Sequence, residues 1–600
     1  MGLPARKDIP VDLTWDVSVL YQNDQEWQAD IKKVTDLVTK FKTTYSGKLN
    51  EALLIQAALH DLEEITQKLS WIEHYAFLQQ AVDMTDATAN QRLRTYSQLD
   101  AQLSSTLTFF DTEILKNSDE LLDQVSQAAP EFTSVIRHFK QAKKHQLTPE
   151  VEKTLAMLNP CFNGAESLYT TCRAADFSFD DITVNGKTYP MSFVLYENTY
   201  QYSPDHALRH AAFKEFSKTL RQYQNTVAAN YYNHVLTEKT LATLRGYSSV
   251  FDYLLDKQEI SRELFDRQID MVIDGLGPVM QKYVKLIAKK RGLTKITFAD
   301  LQIDLDPEFA PKVTLTEAKE YVSNAIKPLG QEYHDLIMRA FPERWVDFAC
   351  NAGKESGGFE TDPYGTHPFI LMSWTDEMAD VYTLIHEFGH AGQALMTAAN
   401  NSILACSPSL YIIEGPSTFN ELLLTEALEN SSSDLRMQRY AYCKTLTNTY
   451  YHNFVTHLLE AAFQREVYTL IDQGQGFDGA KLCEIKKDVL KRFWGDTVDI
   501  DDDAALTWMR QSHYYMGLYS YSYSASLTIA TQAFLRYQQE GKAQIKRWLE
   551  FLKLGDQKTP LEAALVAGVD VSTSEPLANT IAFLDETVDK IIDLTNQLND

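Results

Sequence analysis

No run of about 18 apolar residues occurs anywhere in the 600-residue chain, so no membrane-spanning helix is expected. Glycine and proline are scarce, at 24 and 18 of 600 residues, or 4% and 3%, against usual values of about 7% and about 5%. So few chain breakers point to long helices rather than many short strands joined by turns. Cysteine is sparser still: six residues, at 161, 172, 350, 406, 443 and 483, with no CxxC pair. Their scatter implies reduced, mostly buried thiols and a cytoplasmic setting. The opening MGLPARKDIPVDLTW has no apolar core of signal-peptide length, and after its Met-Gly start Arg6 stands where myristoylation needs Ser or Thr. Basic residues number 56 against 82 acidic ones, a net charge of −26. That balance argues against nucleic acid and against anionic membranes as partners. The hydrophobic share of 44% rules out global disorder and allows a sizeable core.

From residue 12 to 150 the pattern is helix after helix. Asp16 and Asn23 offer early cap signals, and Trp27, Ile31, Val34, Leu37, Val38 and Phe41 recur at helical spacing. His60, His74, His138 and His145 follow no ligand spacing and read as surface or core-edge residues. Near 175–200 the character changes: Asn185-Gly186 sits between β-favouring segments, a hairpin signal. We place a division here, with an N-terminal helical region over 1–200 and a larger region over 201–600. A second β-favouring patch spans 345–374, with WVDFACNAG as one strand, GKESGGF as a turn and HPFILMSW as another strand.

Residues 375–400 form the most informative helix. Thr375 suits its N-cap, Asp376 and Glu377 its first turn, and Asn400 and Asn401 its end. Inside lies HEFGH, residues 386–390. At about 100° per residue, His386 and His390 stand roughly 40° apart on one face, so both imidazoles can reach one metal ion. Glu387 points to a neighbouring face, close enough to contact a metal-bound water without being a ligand. A chance HExxH in a chain of this composition is expected on the order of 0.02 times. A hydrolytic zinc normally has three protein ligands, and Glu414, at the start of a helix marked by Pro416, is the chosen third. Glu421, seven residues on, shares its face and is assigned to orienting a histidine ligand. Downstream, QSHYYMGLYSYSYSAS at 511–526 offers His513 and a dense set of tyrosines as hydrogen-bond donors for an oxyanion.

HEFGH, E-G-P-S at 414–417, and a His followed by alternating tyrosines together resemble oligoendopeptidase F, of the thimet oligopeptidase and neurolysin group of zinc metallopeptidases. TWDVSVLY near the start, SPDHALRHAAFKEF at 203–216 and TLRGYSS at 243–249 extend the resemblance over most of the chain. The resemblance implies a mostly α fold: a large, clam-like helical shell around a deep substrate channel, with a small β patch beside the HExxH helix. It implies one Zn²⁺ per chain, held by His386, His390 and Glu414, with Glu387 as general base. His513 and the tyrosines at 519–523 correspond to the transition-state region, Tyr523 and Tyr521 being favoured over Tyr519. HPFILMSW resembles the strand edge that lies along bound peptide. Two positions depart from the family: Gln393 stands where many members have His, and the tyrosine run ends in YSAS, with Ser524 and Ser526, rather than in a Gly-containing segment.

The expected activity is therefore cleavage of internal bonds in short unstructured peptides, by a water that zinc acidifies and Glu387 deprotonates, with His513 and a Tyr hydroxyl holding the oxyanion. A monomer is compatible with all of this. Two other readings stay open: a related zinc exopeptidase, and a non-catalytic zinc-stabilised peptide binder, which would have no need of a base beside its ligands.

Overall fold

The structure is a computed structural model that describes residues 3–598; the Met1-Gly2 opening considered above lies outside them. Asn23 accepts hydrogen bonds from the amides of Gln25 and Glu26 and so starts the helix Asp24–Tyr45, which buries Trp27, Val34, Val38, Phe41 and Tyr45. A side-chain acceptor there satisfies amides that a helix start leaves without partners. Ile31 and Leu37, on the flanks of the stripe, are half-buried. The helices Ala52–Val82 and Ala87–Ile114 pack against this one and each other. The remainder of the chain is helical in the same style, including the long helices His206–Leu244 and Arg262–Arg291. The fold is mostly α with two small sheets, as expected. No helix among the described residues is long and apolar enough to cross a membrane.

Strands β1 (Ile182–Val184) and β2 (Lys187–Tyr189) pair antiparallel around Asn185 (φ 52°) and Gly186 (φ 77°). Two left-handed residues in a two-residue turn match the twist of the strands they join. The second sheet contains β3 (Val346–Asp347), β4 (Phe359–Thr361) and β5 (Phe369–Leu371), in the order β3-β5-β4. β5 runs parallel to β3 and antiparallel to β4. Two expectations need correction. The stretch read as a turn closes in a strand, and the HPFILMSW segment is central in its sheet rather than at the edge. The outer strand beside the HEFGH helix is β4, whose three residues include polar Glu360 and Thr361 and so carry little apolar signal.

Two hydrophobic cores are present. One gathers Trp15 to Ile136 together with Phe369 and Leu371. The other runs from Tyr169 to Leu594 and includes Ile370. Successive side chains of a strand point to opposite faces, so β5 belongs to both cores and joins them. The cores part between Ile136 and Tyr169; the division at 200/201 is a proposal about the sequence. The cysteines also differ from expectation. All six are free, but only Cys172 is buried, Cys161 is exposed and the other four are intermediate.

The helix Met378–Ala398 carries HEFGH. Its cap is Glu377 rather than Thr375, in a reciprocal pair with Asp380. Asp380 also accepts from the Thr375 amide at 2.7 Å, and Asp376 is left-handed (φ 59°), so the chain turns into the helix two residues later than the sequence suggests. Asn400 and Asn401 close the other end by donating to the carbonyls of Met396 and Thr397.

Candidate active site

The helix Gly415–Ser431 crosses the HEFGH helix at Gly389, the fourth motif residue. A Cβ on Gly389 would stand 2.5 Å from the Pro416 carbonyl oxygen and 2.5 Å from the Ser417 Cα. Only glycine permits that approach, and the approach brings Glu414, the N-cap of the second helix, over the two histidines. His386 Nε2 lies 3.5 Å and His390 Nε2 3.4 Å from the same Glu414 oxygen. Tetrahedral coordination at about 2.0–2.1 Å separates neighbouring ligand atoms by about 3.3–3.4 Å, so the spacing suits one metal ion. Glu421 is buried and accepts a hydrogen bond from His386 Nδ1 at 2.9 Å, which leaves Nε2 to face Glu414. Thr449 in turn donates to the other Glu421 oxygen.

The charged groups of this cluster act on one another. Burial opposes charging His386, but the hydrogen bond and charge of Glu421, with Glu387 and Glu414, outweigh it and raise the imidazole to about 10. Burial likewise opposes charging Glu414, but His390, His386 and Ser417 pull it down to about 2. Glu387 is pushed up by burial, with the two histidines pulling partly back. Among the described residues no donor binds the Glu387 carboxylate, so it keeps its acceptor capacity. Glu360 on β4 is nearby and is pushed well up by burial and by the charges of Asp362 and Glu387.

A second cluster faces the first. His513 packs against Tyr519 and Tyr523, with ring centres 5.6 and 5.9 Å away, and the two tyrosines meet edge-on at 5.2 Å. Both hydroxyls are raised, first by burial, and both feel the charge of Glu414. Tyr521, expected beside Tyr523, is not here. It is fully buried on the opposite side, its hydroxyl donating to Gln258 at 2.6 Å and its ring edge-on to Phe265. Residues two apart on an α-helix are about 200° from each other, so Tyr521 and Tyr523 cannot share a face, whereas Tyr519 lies just before the helix Tyr521–Glu540 and its ring meets Tyr523.

Behind these stand residues that the sequence reading missed. His457 stacks on Tyr523 at 4.2 Å, its Nδ1 is 2.8 Å from Glu460 Oε2, and its Nε2 is 3.0 Å from His452 Nε2. The same Glu460 oxygen lies 3.8 Å from His513 Nδ1 and accepts from Ser520 at 3.3 Å. The histidine network and its hydrogen bonds hold Glu460 well below the usual carboxylate range despite burial. The His-x-x-Glu spacing of 457 and 460 was the available signal. Two further clusters, His206–His210–Asp300 and His138–Glu259–Asp556, also bring three donors together. In both, an arginine already occupies the aspartate: Arg209 on Asp300 and Arg137 on Asp556.

The family model described as Peptidase family M3 matches residues 199–583, and the one described as Oligopeptidase F matches 113–179. The chain belongs to peptidase family M3. Both clusters lie inside the first span. Among M3 relatives, Oligopeptidase PepF of Bacillus subtilis is 26% identical over 597 residues, covering 99% of this chain and 88% of its own. An oligoendopeptidase F homolog of Borreliella burgdorferi is 26% identical over 581 residues, covering 96% and 97%. The crystal structure of oligoendopeptidase-F from Enterococcus faecium shares the fold with a TM-score of 0.74 at 22% identity, over 96% of this chain and 99% of that one. A solved chain from Chlamydophila abortus reaches 0.86 at 22% identity, over 99% and 100%. At the two departures from the M3 oligoendopeptidase F pattern, Gln393 is buried in the HEFGH helix, and Ser524 and Ser526 are buried within helix Tyr521–Glu540, donating to the carbonyls of Tyr521 and Tyr411.

Proposed function

We propose that this M3 chain is a zinc-dependent endopeptidase that hydrolyses internal bonds of short, unstructured peptides. The observation that carries the reading is the convergence of two imidazole nitrogens and one carboxylate oxygen, all within 4.8 Å of one another, with the open carboxylate of Glu387 one residue away. Zinc held by His386, His390 and Glu414 would supply Lewis acidity and bring a water's pKa toward about 7. Glu421 fixes the tautomer and direction of His386. Glu387, made more basic by burial, takes the proton of the attacking water and returns it to the leaving amine. The Tyr523 hydroxyl and His513 donate to the carbonyl oxygen as it gains charge, and Tyr519 braces Tyr523. β4, the outer strand against the HEFGH helix, offers backbone groups to an extended peptide. The oligopeptidase names of the relatives support short substrates, and the six free cysteines support a cytoplasmic setting.

Mapping the products of a peptide ladder tests the reading. Internal cuts are expected, abolished by a chelator and restored by zinc. Glu387→Gln should keep its zinc and lose about 10²–10⁴-fold in turnover. Release of C-terminal residues or dipeptides alone would make the enzyme an exopeptidase, and full activity of Glu387→Gln would remove the base.

A further inference from the structure

A cavity of about 780 Å³ opens between the turn Tyr200–Tyr202, the π-helix Thr445–Thr456 and the helix Gly479–Trp494. Its size falls within the range of roughly 300–1,000 Å³ usual for small-ligand sites. His452 and Glu460 form part of its wall, so it adjoins the network behind Tyr523 and His513.

The charged groups around it pair off, with one exception. Arg510 holds Glu197 at 3.0 Å and Gln201 at 3.2 Å. Lys444 faces Asp304 at 3.5 Å, Glu377 meets Lys312 at 2.8 Å, and Glu460 meets His457 at 2.8 Å. Lys486 has neither a hydrogen bond nor an ion pair among the described residues, although it is only 5% exposed. Its ammonium lies 5.9 Å from the Phe463 ring centre and lines the cavity. Burial lowers it to about 8, with Glu460 opposing that shift and Arg510 adding to it. Lysine is almost never buried without a partner, because the ammonium loses its hydration and gains nothing in return.

We infer that this cavity receives a carboxylate of the peptide substrate, held by Lys486. One uncompensated cation matches a single negative charge. A dianion such as phosphate would call for a second cation, and the other basic groups of the lining, Arg510 and Lys444, are already paired. The carboxylate is either the C-terminus of a short peptide or an acidic side chain, and either would fix the register of the chain relative to Glu387. That the ligand is a peptide rests on the peptidase reading; the preference for a carboxylate does not.

The test uses the full-length, zinc-loaded Glu387→Gln variant, so that binding is measured without turnover. One dye-labelled short peptide is made as free acid and as C-terminal amide, and each form with an internal Asp or Asn. Fluorescence anisotropy should show one carboxylate form binding at least about tenfold tighter than its neutral partner. Lys486→Met and Lys486→Gln should each erase that difference, and Lys486→Arg should keep part of it. A difference confined to the acid–amide pair assigns the C-terminus, and one confined to the Asp–Asn pair assigns a side chain. Equal affinities throughout, or a difference that survives both neutral substitutions, would overturn the inference. Absence of hydrolysis by the unmutated enzyme, with the binding difference intact, would count against the peptidase reading alone.

Discussion

His386 Nε2 and His390 Nε2 each lie 3.4–3.5 Å from one Glu414 oxygen, whereas His457 has spent both ring nitrogens, on Glu460 at 2.8 Å and on His452 at 3.0 Å. Both groups bring three donors within reach of a cation. The first is open: Glu421 fixes the direction of His386, and both Nε2 atoms converge on one Glu414 oxygen. The second is closed around His457, whose ring stacks on Tyr523, while His513 Nδ1, 3.8 Å from Glu460, has no hydrogen-bond partner among the described residues. Proximity of ligand types therefore does not make a metal site; the direction of the unsatisfied atoms does.

The largest effect that sharpens this contrast concerns the tyrosines. Tyr523→Phe should lower kcat by about 10²-fold or more with little change in KM, since its bond forms as the oxyanion develops. Tyr521→Phe should leave kcat within about twofold and cost about 1 kcal/mol of stability, from its lost bond to Gln258. Steady-state kinetics on both variants checks the pair, and equal losses would dissolve the distinction between the two helix faces. Next in size is the helix crossing. Gly389→Ala should cost roughly 1–3 kcal/mol and weaken metal binding, because the methyl forces Glu414 away from the histidines. Gly164→Ala, where nothing lies within 4 Å, is the control and should be neutral in thermal melts. The smallest effect lies at the contact between the two cores. His138 donates to Asp556 at 2.7 Å, a bond that raises its pKa against the opposing pull of burial. A raised histidine stabilises below its unfolded value of about 6.5 and loses that contribution as pH climbs through the folded value. The Tm advantage over His138→Gln should thus be largest below about pH 6.5 and shrink as pH rises above it, amounting to less than about 1 kcal/mol for a pair whose histidine side chain is partly exposed. An advantage that grows with pH would reverse the assignment.

Much of the first cluster was legible because it obeys α-helical arithmetic: His386 and His390 are four apart, and Pro416 marks the helix that starts beside Glu414. The second was not. His452 and His457 are five apart, which in α geometry leaves them about 140° from each other; the π-helix Thr445–Thr456 brings them together, and nothing in TLTNTYYHNFVT announces it. Tyr521 lies elsewhere than expected for a simpler reason: two residues apart on one helix, it and Tyr523 face about 200° from each other, while Tyr519 sits just before that helix. The helical fold followed from the scarcity of glycine and proline, yet β4 escaped because three residues are too few to show alternation. Lys486 could have been found: Leu482, Ile485, Val489 and Leu490 place it on the apolar face of its helix, where a lysine needs a reason.

The central claim is that only the open cluster holds the metal. Plasma emission analysis of purified wild-type, His386→Ala, Glu414→Ala and His457→Ala proteins, loaded with zinc and dialysed, tests it most directly. The account predicts one zinc per chain in the wild type and in His457→Ala, and almost none in the other two. Zinc retained by His386→Ala and Glu414→Ala but lost from His457→Ala would contradict it.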